Sequence, residues 1–170
     1  MSVDLSVATP DQRGVLENLF QLYVHDFTEN WRGMSRGELG DDGLFAPYAP
    51  LPLYWTEAGR IPLLIRVDGH LAGFALLNAN GHLGLPVDRN MAEFFIVRKH
   101  RRGGVGSAAV HAIFDRYPGI WEAAVVRTNT GALAFWERAI ASHPKMRDLD
   151  RHDVNSDAWN GPLFRFRIAG

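Results

Sequence analysis

The sequence predicts an α/β (α+β) fold: one domain over residues 1–170, with a mixed β-sheet of about six to seven strands flanked by helices. Three observations predict it. Strand-like and helix-like apolar periodicities follow one another in the order β-α-(α)-β-β-β-α-β-α-β-β. Two apolar runs meet at Asp68-Gly69, a hairpin signal. Finally, 170 residues with 46% apolar side chains supply one sizeable core and leave little room for a second.

Residues 4–8 alternate as a short strand. Thr9-Pro10-Asp11 then reads as a helix start, with Thr9 as N-cap and Pro10 at the first helical position. Leu16, Leu19, Phe20, Tyr23 and Val24 give that helix one apolar face. From Phe27 to Arg60 glycine, proline and aromatics are dense, and the reading is a short helix near residues 36–39 and otherwise loop. A loop this long is usually functional or disordered, and its aromatic content argues against disorder. Residues 61–67 and 71–78 form the hairpin, and residues 91–97 a further strand. Residues 104–117 read as a helix with Val105, Ala109, Val110, Ile113 and Phe114 inward, ended by Pro118-Gly119. A strand over 120–126 and a helix over 130–140 follow, the helix carrying Leu133, Phe135, Trp136 and Ile140. Residues 145–149 and 163–168 are strand-like. Between them Asn155-Ser156-Asp157 and Asn160-Gly161-Pro162 read as turns.

Composition excludes several functions. A net charge of −1 and a pI near 6.6 argue against nucleic-acid binding by the molecule as a whole. With no cysteine there is no disulfide, thiolate metal site or cysteine nucleophile. The seven histidines, His25, His70, His82, His100, His111, His143 and His152, show no ligand spacing, so no metal is expected. MSVDLSVATPDQ predicts no signal peptide, and no stretch approaches the ~18 apolar residues of a membrane span. The expectation is a cytoplasmic protein without a membrane partner.

The stretch RKHRRGGVGSAAVHAIF, residues 98–114, sets five basic or imidazole side chains against three glycines before a helix. A Walker loop fails, because no Gly-Lys-Ser/Thr follows. Gly104 to Ala109 spells G-x-G-x-x-A, but a basic hexad separates it from the strand, and the second strand ends Val125-Val126-Arg127 without the acid a ribose needs. A nucleic-acid patch is weakly supported by one cluster in a neutral chain. A plain solvated loop leaves three glycines within four positions unexplained. The best fit is an anion site at a helix start, where glycines let the backbone approach a diphosphate and Arg98, Arg101 and Arg102 supply charge.

Arg101-x-x-Gly104-x-Gly106 resembles the acyl-CoA signature Q/R-x-x-G-x-G/A of the GNAT superfamily of N-acetyltransferases, which lies between the fourth strand and the third helix. Asn129-Thr130-Gly131-Ala132-Leu133-Ala134-Phe135-Trp136 is similar to the family's N-x-x-A-x-x-F-Y. The element order also matches along nearly the whole chain. The stretches AEFFIVRKHRRGGVG and LYWTE…IPLLIRVDGHLAGFALL resemble a bacterial subgroup of predicted GNAT acetyltransferases whose membership names no acceptor.

The resemblance implies a splayed central sheet, acetyl-CoA as co-substrate, and direct acetyl transfer to the primary amine of a small-molecule acceptor. Phe95, Ile96 and Val97 would present backbone groups to the pantetheine arm. The amides of Arg101, Arg102, Gly103, Gly104, Val105, Gly106 and Ser107 would hold the pyrophosphate. Asn129 would touch the cofactor or brace the strands, or simply cap its helix. Trp136 stands where the family commonly has a tyrosine acid. Indole cannot release a proton near neutral pH, so reduced dependence on an enzyme acid is expected. Glu93, an acid in an apolar strand, is the candidate base, against a structural carboxylate or a water relay. Asp26, Tyr54, Trp55 and Glu57 would receive the cationic acceptor, or else the aromatics cover the sheet edge. The alternative function is a non-catalytic acyl-CoA-binding or interaction domain, kept open by the missing tyrosine. Homodimers are common in the family, and nothing in this sequence fixes one.

Overall fold

The computed structural model describes residues 1–156 and 159–170. The chain runs β1 (Val3–Val7), α1 (Arg13–Thr28), β2 (Ile61–Val67), β3 (His70–Asn78), β4 (Arg89–Ile96), α2 (Val105–Arg116), β5 (Gly119–Ala124), α3 (Thr130–Ala141), β6 (Met146–Asn155) and β7 (Asn160–Ile168). All seven strands join one sheet in the order β1-β2-β3-β4-β5-β7-β6. Every neighbouring pair is antiparallel except β4 and β5.

Strand alternation sorts side chains between two layers. Leu64, Phe74, Leu76 and Phe95 face α1 through Leu16, Leu19 and Phe20, and Leu51 and Tyr54 join them from the turn Leu51–Trp55. Leu63, Ile65, Leu77, Trp121, Phe164 and Phe166 face α2 and α3 through Val110, Ile113, Phe114 and Ile140. The sheet is a wall with apolar packing on both sides. α1 enters through a 3-10 turn, Pro10–Gln12, whose Gln12 Oε1 accepts from the Thr9 N–H at 3.0 Å.

β4 and β5 part company. They pair only at Arg89, Asn90 and Met91 opposite Trp121, Glu122 and Ala123. Beyond Met91 they diverge, while β4 stays paired with β3 and β5 with β7. The register of β3 on β4 also shifts after Leu76, leaving Ala92 as an extra residue opposite no partner. The result is a wedge-shaped gap in the centre of the sheet.

Three expectations need correction. No helix forms at residues 36–39. Gly33 and Gly37 adopt left-handed φ values of 77° and 81°, and Gly37 lies flat against the Trp31 ring. Asn160-Gly161-Pro162 is no turn but the start of β7. A Cβ at Gly161 would sit 2.0 Å from the Val125 carbonyl oxygen, so glycine here permits close strand contact. β6 runs to Asn155, well past residue 149. It is an edge strand with mostly exposed charged side chains, so apolar alternation does not mark it. Of the turn read at residues 155–157, Asp157 lies outside the described residues.

Candidate active site

Two cavities meet at the gap between β4 and β5. One, of about 480 Å³, lies under α1 and the aromatic loop, and the other, of about 620 Å³, lies at the start of α2. Tyr23, Phe27, Phe94, Asn129, Ala132 and Trp136 line both, so the two are halves of one cleft. The volumes lie in the range of small-molecule sites.

The larger half is built around the glycine loop. Arg102 and Gly104 take left-handed φ values of 64° and 83°, which turn the chain sharply into α2. The first helical bond of α2 runs from the Ala108 N–H to the Gly104 carbonyl at 3.0 Å, so the amides before it have no partner within the helix. They point out of the positive helix end. Gly106 also serves packing. A Cβ there would press on the Phe135 ring at 3.0 Å, so its bareness lets α2 pack on α3. Arg102, Gly104, Gly106, Ser107, Gly131 and Arg138 line this half. Gly103 and Val105 do not, and Val105 is buried in the core.

Arg98 and Arg101 are already engaged. Both guanidinium groups bond to Asp26 near the C-terminal end of α1, Arg98 Nε at 2.9 Å and Arg101 through Nη2. The two arginines hold the Asp26 carboxyl below the usual carboxylate range, against the opposing effect of burial. Arg101 Nε also donates to the Ile96 carbonyl at 2.6 Å, and its guanidinium lies 5.3 Å from the Phe95 ring centre. Asp26 is thus a latch between α1 and the loop and lines the larger half, away from the aromatic cavity where an acceptor was expected to meet it.

Along β4 the backbone alternates. The Val97 N–H donates to the Ala72 carbonyl at 2.8 Å, so Phe95 and Val97 turn their backbone groups to β3, while those of Phe94 and Ile96 turn to the gap. Phe95 and Ile96 line the larger half, and Val97 lines neither. Asn129 is the cap of α3, its Oδ1 accepting from the Ala132 N–H at 3.0 Å, and it also lines both halves. The cap and the cleft wall are one residue.

The smaller half is aromatic. Phe20, Tyr23, Phe27, Trp31, Tyr48, Phe94, Trp136 and Trp159 line it around the Glu93 carboxylate. The Tyr23 hydroxyl donates to Glu93 Oε2 at 2.6 Å. Burial pushes the Glu93 carboxyl above its ordinary range, and the Tyr23 and Tyr48 hydroxyls oppose that without cancelling it. In return, burial and the carboxylate push the Tyr23 hydroxyl well up, so it keeps its proton. Glu93 has no cation partner among the described residues. Glu122 on β5 is the opposite case: fully buried, it accepts from Arg165 Nη1 at 2.8 Å and from the His82 N–H at 2.7 Å.

Trp136 is buried, edge-on to Phe94 at 5.5 Å and to Phe135 at 5.2 Å. It separates the two halves as a wall. Tyr54, Trp55 and Glu57 line neither half. Tyr54 is buried behind the aromatic cavity with Arg60 over its ring. Trp55 ties its turn to the Ala8 carbonyl through Nε1 at 2.9 Å, and Glu57 pairs with Arg60 at 2.6 Å. They brace the loop over the sheet. The residues that sequence reading missed are Tyr23, which repeats at core spacing, and Trp31 and Arg36, whose loop carries no periodic signal. No helix among the described residues is long and apolar enough to cross a membrane.

Solved structures share this fold. An acetyltransferase from Thermus thermophilus is 17% identical with a TM-score of 0.67, covering 99% of this chain and 98% of its own. A GNAT-family acetyltransferase from Streptococcus pneumoniae is 13% identical with a TM-score of 0.58, covering 99% and 100%. The aminoglycoside acetyltransferase AAC(6')-Ib, solved in complex with coenzyme A, is 16% identical with a TM-score of 0.64, covering 98% and 95%. At these identities the likeness is one of fold. No curated protein matches the chain. A sequence model of the acetyltransferase (GNAT) family matches residues 16–140, from within α1 to the end of α3. By that match the chain belongs to the acetyltransferase (GNAT) family, and is an acetyl-CoA-dependent acyltransferase.

Proposed function

We propose that the protein is an N-acetyltransferase that transfers acetyl directly from acetyl-CoA to the primary amine of a small-molecule acceptor. The observation that carries this is Glu93: an acid with no cation partner among the described residues, its pKa raised, on the wall of an aromatic cavity that runs into the cavity at the start of α2. A carboxylate costly to keep charged suits proton transfer rather than bracing.

The residues of the larger half fit the co-substrate. Gly104 and the free amides of the first turn of α2 would hold the diphosphate, with Arg102 and Arg138 as outer charge. Asn129 would meet the co-substrate where the halves join. Acetyl-CoA, when bound, supplies an acetyl thioester. Glu93 takes one proton from the acceptor ammonium, directly or through one water. The freed nitrogen forms its bond to the acetyl carbon as the carbon–sulfur bond breaks. The second nitrogen proton ends on sulfur, and Glu93 returns its own to solvent. Tyr23 and Tyr48 orient the carboxylate. Trp136 excludes water and supplies no proton.

Glu93→Gln is the test. CoA release with a responsive amine should fall by about 10²- to 10⁴-fold. The wild-type rate should fall as pH drops through the raised Glu93 pKa, and the variant should lose that limb. Binding is followed separately: CoA at ~100 times Kd should stabilise wild type and variant alike by ~2.7 kcal/mol. An unchanged pH profile in the variant removes Glu93 as base, and no thermal shift with millimolar CoA removes the whole reading.

A further inference from the structure

Resting on that reading, we infer that the acceptor carries a single amine, an apolar body and a carboxylate, and that Arg36 receives the carboxylate. Among the described residues, the aromatic half has one acidic lining residue, Glu93, and one basic lining residue, Arg36. The Arg36 guanidinium lies 4.7 Å from the Trp31 ring centre. Its neighbour Gly37 fixes the turn, since a Cβ there would be 2.7 Å from Trp31 Cε3. Arg36 forms no ion pair among the described residues, in contrast to Arg98 and Arg101 on the other half.

This charge pattern is selective. A polyamine or an aminoglycoside brings several ammonium groups, each needing an acid. Here the second would meet a guanidinium of its own sign, with Trp31 already covered by it. An amine bearing a carboxylate matches both ends. Its ammonium meets Glu93, its apolar part packs among Tyr23, Tyr48 and Phe94, and its carboxylate takes a two-pronged bond from Arg36. A cavity of about 480 Å³ suits a molecule the size of a large amino acid.

The experiment compares matched pairs by CoA release: phenylalanine with phenethylamine, tryptophan with tryptamine, and 6-aminohexanoate with hexylamine, alongside spermidine and kanamycin. At least one carboxylated member should exceed its partner in kcat/KM by about 10- to 100-fold, the range of a hydrogen bond to a charged group. Arg36→Gln, at an exposed position, should abolish that advantage by raising KM for the carboxylated member far more than for its partner. Preference for spermidine or kanamycin overturns the inference and leaves the acetyltransferase reading standing. So does turnover indifferent to the carboxylate, or an Arg36→Gln effect equal on both members of a pair. No release with any amine, CoA still shifting the melt, overturns both.

Discussion

Two glutamates in apolar strands show how little residue type alone decides. Glu122 has an arginine and a backbone N–H as partners, and it fastens the loop after β3 to β7. Among the described residues Glu93 has two phenol hydroxyls as partners, and its charge is costly. That difference has a sign in stability. The folded-state pKa of Glu93 is raised, so the stability tied to its neutral form is present below the unfolded carboxyl pKa and lost as pH rises through the folded value. Glu93→Gln should therefore raise the melting temperature at pH 8 and leave it nearly unchanged at pH 4, which thermal melts at the two pH values would check. Trp136→Phe should keep more than about a hundredth of wild-type kcat, because a thiol of pKa ~8.5 leaves as thiolate without an enzyme acid. A steeper loss, with CoA binding intact, would mean the indole takes part. Glu93 was legible in the sequence as an acid in an apolar run. Its partners were not, because Tyr23 sits 70 residues away on a helix face that reads as core. Asp26 was legible as a charge and misread in its role, since its arginines lie 72 and 75 residues on.

At the level of elements, the cleft exists because two strands stop pairing. β4 is held by β3 and β5 by β7, so each keeps its hydrogen bonds on one side and offers the other to the gap. The extra residue at Ala92 twists β4 at the place where the gap opens and re-aims Glu93 just after it. The glycine loop closes the wider end. Gly104→Ala would force a left-handed φ of 83° on a side-chain-bearing residue. The expected cost is ~1–2 kcal/mol in stability by denaturant titration, with weaker CoA binding because the turn carries the amides. The loop was legible because its chemistry is local: glycines and arginines within nine residues, feeding a helix. The splay was expected only from the resemblance, since no residue pattern announces where a parallel pair ends. The bend at residues 33–37 escaped because its glycines act through φ, which the sequence permits without requiring.

Across the whole molecule, the order of strands and helices followed from periodicity, because both faces of the sheet are covered and β2 and β3 read as largely apolar runs on either side of one turn. What periodicity cut short was the edge strand, β6, read only to residue 149. The same arrangement carries a hidden constraint. Two glycines brace the outer sides of the diverging strands: a Cβ at Gly73 would lie 1.9 Å from the Phe95 carbonyl oxygen on β4, and one at Gly161 2.0 Å from that of Val125, just past β5. Neither glycine lines the cleft. In a saturation scan for acetyl transfer both positions should nevertheless reject every substitution, alanine included, as sharply as Glu93 does. The two kinds of intolerance separate by abundance. Changes at Gly73 and Gly161 should deplete folded protein, while Glu93→Gln leaves it plentiful and inactive. A map of fitness alone would therefore draw the active site too wide, by one residue on each flank of the gap.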